Sequence, residues 1–110
     1  TGTLIMIQEY EGLEPSSLVN TMLKELTKES IDYGYKLSKE KLTRKIASGE
    51  TLTGLKATLT YRKEVSYWEV LAYDKKDSGV LIITQIDKEF MNTDKSVLSV
   101  FWKTLKFDFK

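Results

Sequence analysis

The sequence predicts an α+β fold: a central antiparallel sheet of four to five strands with two helices packed on it, all in a single domain spanning residues 1–110. Three observations lead there. Apolar stripes at helical spacing occur near both ends of the chain, at Leu18–Leu26 and Val97–Leu105. Between them lie segments of alternating or continuous apolar character, which read as strands. Those segments are joined by short polar turns rather than by crossover helices, which argues against a parallel wound sheet.

The elements follow in order. Thr3 to Gln8 (Thr-Leu-Ile-Met-Ile-Gln) is rich in β-branched and apolar residues and reads as a strand. Glu11-Gly12-Leu13-Glu14-Pro15 is a loop, with Pro15 suited to a first helical turn because its missing N–H is not needed there. Leu18, Val19, Met22, Leu23 and Leu26 then form one face of a helix, and Gly34 supplies its stop. Tyr35 to Ile46 is polar and basic, and reads as an exposed edge strand whose lysines deter edge-to-edge pairing. Ala47-Ser48-Gly49-Glu50 is a turn. Leu55, Ala57, Leu59 and Tyr61 alternate with polar residues as in a half-buried strand.

After the connection Lys63-Glu64, the stretch Tyr67–Tyr73 is a strand with Trp68, Val70 and Ala72 on one face and Tyr67, Glu69, Leu71 and Tyr73 on the other. Asp74 to Gly79 is a hairpin loop. Val80–Ile86 is apolar at both parities, so it belongs near the centre of the sheet, covered on both faces. Asp87–Asn92 is a loop or one helical turn. Asn92 or Thr93 caps the last helix, with Val97, Leu98, Phe101, Trp102 and Leu105 as its apolar face. Lys106-Phe107-Asp108-Phe109 reads as a short extended closing segment.

Composition removes several chemistries. Apolar residues at 41% and charged residues at 30% are those of a globular chain. Without Cys there are no disulfides, thiolate nucleophiles or cysteine zinc sites. Without His, the commonest general base, metal ligand and nucleophile-activating partner are missing. A net charge of +1 gives no reason to expect nucleic acid or an anionic membrane. Neither a cofactor nor a metal is expected: the glycines are isolated, so no phosphate-cradling loop forms, and Asp74-Lys75-Lys76-Asp77 lacks the alternating acidic pattern of a calcium loop. Asp87 with Glu89 follows a strand end without favouring any paired-carboxylate chemistry. Ser16-Ser17, Asn20 and Thr93 fit helix-terminus hydrogen bonding rather than nucleophilic roles.

Some places in the chain resemble the PsbP-like and DcrB-like domains. Gly54-Leu55-Lys56-Ala57 opens a strand just after a turn. The hairpin pair Ala57–Arg62 and Ser66–Asp74 carries aromatics at Tyr61, Tyr67, Trp68 and Tyr73. A third strand follows Ser78-Gly79, and the chain closes on Thr104-Leu105-Lys106-Phe107, similar to the family's small-Leu-basic-Phe ending. The resemblance runs from Leu4 to Phe107; the family's usual opening strand pair, with an aromatic and a proline, has no counterpart here. It implies a central antiparallel sheet with helices against it, and an exported or lipid-anchored bacterial protein, in several relatives a non-catalytic assembly factor. It brings no catalytic residues. The opening Thr1-Gly2-Thr3 fits a chain whose upstream segment, a signal peptide or lipid anchor, has been removed.

Two groups stand out as partner-binding candidates. In Lys36–Lys45 five of ten residues are basic and one is acidic. As a strand, Lys39, Lys41 and Lys45 share a face, and together with Arg44 they are candidates to meet an acidic partner, although a solvated edge explains the same charges. Tyr67 and Tyr73, opposite Trp68, are the aromatic candidates for an exposed patch, with ordinary sheet packing as the plainer explanation. The expected function is a non-catalytic binding or assembly module of a bacterial envelope or exported protein, its partner another protein. The alternative is a small-molecule or lipid carrier holding its ligand between helix and sheet.

Overall fold

In a computed structural model of the chain, residues 3–75 and 78–105 are described. Strand β1 (Thr3–Glu11) leads into helix α1 (Pro15–Tyr33), followed by β2 (Lys36–Lys45), β3 (Thr51–Tyr61), β4 (Glu64–Lys75) and β5 (Ser78–Asp87). A short 3₁₀ turn (Lys88–Phe90) then runs directly into α2 (Met91–Thr104). All strand pairings are antiparallel, in the order β1-β5-β4-β3-β2. The expected α+β architecture, a five-stranded sheet with two helices, is therefore present.

The two helices lie on opposite faces of the sheet. On one face, Val19 and Leu23 of α1 pack on Ala57, Val70, Ala72, Leu81 and Ile83. On the other, Phe101, Trp102 and Leu105 at the end of α2 pack over Ile46, Leu52, Leu71, Val80 and Ile82. This explains why Val80–Ile86 is apolar at both parities. Ile82 and Ile83, adjacent in sequence, are each fully buried, one under each helix layer. Burial on that scale contributes roughly 1.5–3 kcal/mol per large aliphatic side chain.

Several boundaries differ from the sequence reading. The strand at the centre of the order is β4; β5 is interior but lies one place nearer the edge, between β4 and β1. Strands β3 and β4 are longer than their apolar alternation, because Thr51 and Glu64 already pair with Lys45 and Tyr61. The β3–β4 connection thus tightens to Arg62-Lys63, with Arg62 in the left-handed region at φ 55°. Helix α2 starts at Met91, so Asn92 and Thr93 fall inside its first turn instead of capping it. Lys106 to Phe109, and Lys76-Asp77 of the hairpin loop, lie outside the described residues.

The ends of α1 follow local chemistry. Glu14 is the N-cap: its carboxylate accepts the amides of Ser16 and Ser17 at 3.1 and 2.8 Å, satisfying two donors at the helix start. Hydrogen bonds from the Ser17 and Ser16 side chains, followed by those from their amides, hold Glu14 well below the usual carboxylate range, at about 2. Asn20 donates to the Ser16 carbonyl at 2.8 Å. Gly34, at φ 134°, ends the helix, and the amide of Tyr35 reaches back to the Ser30 carbonyl at 2.9 Å.

Candidate functional site

Helix α1 lies over β3 and β4. Its docking leaves much of the inner face of β2 uncovered, apart from Leu37, which packs against the α1 core, and this offset creates a groove between α1 and β2. One part, of about 440 Å³, runs from the start of α1 (Glu14, Pro15, Asn20) across to Lys41, Thr43, Thr53 and Leu55. A second, of about 310 Å³, continues along Lys24 and Thr27 of α1 and Leu37 and Lys39 of β2. Asn20 borders both parts. Val19, Leu23, Leu37 and Leu55 form an apolar floor, and Lys24, Lys39 and Lys41 add cationic heads along the rim.

The basic candidates on β2 divide by parity. Lys39, Lys41 and Lys45 pair with Ala57, Leu55 and Thr51 and therefore occupy the α1 face, all three exposed. Arg44 pairs with Leu52 and occupies the other face. There its guanidinium bonds Glu69 at 2.8 Å and stacks on the Trp102 ring, 4.5 Å from the centroid. Three of the four cations thus face the α1 side, while Arg44 ties α2 to the sheet.

Tyr67 and Tyr73 share the α2 face, as alternation predicted, and both are half-buried. Tyr73 packs against the cluster under α2. Trp68 lies on the opposite face, against the α1 core. The tyrosines and the lysines are consequently not brought together; the sheet separates them.

A third recess, of about 510 Å³, opens between Tyr35, the β3–β4 turn and the start of the 3₁₀ turn, lined by Lys63, Glu64, Ser66, Asp87 and Lys88 among others. Tyr35 donates its hydroxyl to Glu64, and that bond, more than desolvation, pushes its phenol up to about 12. Tyr33, Tyr35 and Tyr61 contact one another beside this recess, with ring centroids 5.2 to 6.1 Å apart. Rings this close fill one another's space. Tyr10 is held as a neutral phenol too: burial raises its pKa, reinforced by Asp74, 3.4 Å from its hydroxyl.

The sequence reading missed Asn20 and Lys24 as groove residues. Both lie on the face of α1 that periodicity marks as polar, and only the offset of α1 from β2 turns that face into a wall. Among the described residues, no three His, Cys, Asp or Glu side chains gather to hold a metal, and no helix is long and apolar enough to cross a membrane. Comparison of the sequence with protein families and with curated proteins gives no match.

Proposed function

We propose that the chain is a non-catalytic binding or assembly module that receives an extended, acidic segment of a partner protein in the groove between α1 and β2. The observation that carries this reading is the placement of Lys39 and Lys41 beside an apolar floor, on a strand that is also a sheet edge. An extended segment laid in the groove sets alternate side chains against the apolar floor, while the flanking side chains select its sequence. Lysines at the rim steer acidic segments and disfavour basic ones. The helix N-terminus beside the groove does not compete for the anion, since the Glu14 carboxylate already takes the Ser16 and Ser17 amides.

The carrier alternative calls for an enclosed apolar space between helix and sheet. Val19, Leu23, Ala57, Val70, Leu81 and Ile83 are all nearly or fully buried in direct packing there. The recesses described above open at the surface. The packing favours the binding module. A place in a bacterial envelope, as an exported or lipid-anchored PsbP-like protein, rests on the sequence resemblance and belongs to the same proposal.

The test is an NMR titration of labelled protein with a synthetic peptide of alternating Glu and Val, and with its Gln-for-Glu analogue. The proposal predicts shifts concentrated on residues 36–45 and 14–28, weaker with the Gln peptide. No perturbation, or perturbation confined to the Tyr35 recess, would sink it.

A further inference from the structure

The groove between α1 and β2 has two parts, and Asn20 is the residue that borders both. Each part holds one lysine of β2 and its own stretch of apolar floor. Lys41 and Leu55 belong to the part at the start of α1, Lys39 and Leu37 to the part further along. Lys39 and Lys41 are two residues apart on an extended strand, so the two parts repeat at about 7 Å. Alternate side chains of an extended segment laid beside them have the same spacing.

A segment lowered onto an apolar floor brings its peptide groups with it. Its N–H and C=O groups lose water there and need protein partners. Lysine ammoniums only donate, and the Glu14 carboxylate is taken by Ser16 and Ser17. Thr27 is buried and spends its hydroxyl on the Leu23 carbonyl, at 2.7 Å. Asn20 carries the only amide side chain among the residues lining the two parts, and it is exposed. Its Nδ2 donates to the Ser16 carbonyl at 2.8 Å. That bond fixes which end of the amide is nitrogen, since a carbonyl only accepts. One N–H and the whole of Oδ1 are left over, with no other partner among the described residues.

We infer that Asn20 is a main-chain clamp, bonding the C=O and N–H of one residue of the bound segment through its remaining N–H and Oδ1. The inference rests on the groove reading above and deepens it. In an extended chain a residue directs its own N–H and C=O to one edge, and its two neighbours direct theirs to the other. A segment with two side chains down, one in each part, brings the residue between them level with Asn20. With the polar edge of that residue toward α1, the leftover donor and acceptor of Asn20 match it one for one. Recognition at this point is of backbone. The clamp sets register and depth, while the lysines and the floor select side chains.

The experiment is an NMR titration of the full chain with the peptide acetyl-Glu-Val-Glu-Val-Glu-amide. Its valines fit the two parts, and its central Glu faces Asn20. One analogue replaces the N–H of the central Glu by an ester oxygen. A second carries the ester at the fourth residue, whose N–H points to the opposite edge. The central ester should weaken binding about fivefold, and so should Asn20→Ala, with no further loss when the two are combined. The second ester should cost the same in parent and variant. Alanine is the better helix former, so the melting temperature of Asn20→Ala should hold. A central-ester loss of equal size in parent and Asn20→Ala would overturn the clamp. So would an affinity indifferent to Asn20→Ala but weakened by Lys39→Gln/Lys41→Gln, which would leave the groove reading standing. No binding, or binding away from the groove, would overturn both.

Discussion

Replacing Arg44 by Met separates the structural cation of β2 from the groove lysines. Met keeps an unbranched stem against the cluster that includes Leu42 and Trp102, but deletes the charge. The Glu69 bond, at 2.8 Å with side chains 33% and 20% exposed, is partly screened, which sets its contribution at roughly 1 kcal/mol. The stack on Trp102 adds about 0.5–1 kcal/mol. Glu69 retains Lys56 as its cross-strand neighbour, so its charge is not wholly stranded. The sum is about 1.5–2 kcal/mol, and for a domain of this size each kcal/mol moves Tm by about 4 °C. Differential scanning calorimetry should show a fall of roughly 6–8 °C. Lys41→Met, at an exposed position, should stay within ~0.5 kcal/mol of the parent. A fall below about 2 °C for Arg44→Met, or equal falls for the two variants, would refute the assignment of Arg44 to the α2 contact.

Gly54→Ala would set a Cβ 1.9 Å from the Val70 carbonyl oxygen, where backbone cannot yield without parting β3 from β4; denaturant unfolding should register a loss of roughly 2–3 kcal/mol. In an ultraviolet phenol titration, Tyr35 should ionise near 12, and Tyr35→Phe should remove that late phase. Because its folded pKa lies above the unfolded value near 10, Tyr35 adds stability that is complete below pH ~10 and lost as pH rises through about 12.

Much of the fold was legible because local signals agreed. The stripe Leu18–Leu26, with Pro15 before it and Gly34 after, places α1 to within a residue. Alternation placed Tyr67 and Tyr73 opposite Trp68, and the double apolar parity of Val80–Ile86 announced two covered faces. Partner choice across the sheet was less readable. Parity separates Arg44 from Lys39, Lys41 and Lys45, yet its contact with Glu69 needs the β2–β3–β4 registers, and its contact with Trp102 needs the position of α2. The groove was hidden for a similar reason. Periodicity says which face of α1 is buried, but not that the helix sits over β3 and β4 and leaves much of β2 bare. Nor does the run Leu4–Ile7 state that its strand is an edge; that follows from β5 returning to pair with β1.

The most direct test of the binding proposal is the affinity of the Lys39→Glu/Lys41→Glu variant for the acidic peptide, measured by isothermal titration calorimetry beside its melting curve. The account predicts at least a tenfold loss of affinity, about 1.4 kcal/mol, with Tm held within a few degrees. Undiminished binding would contradict the assignment of the α1–β2 groove as the partner site.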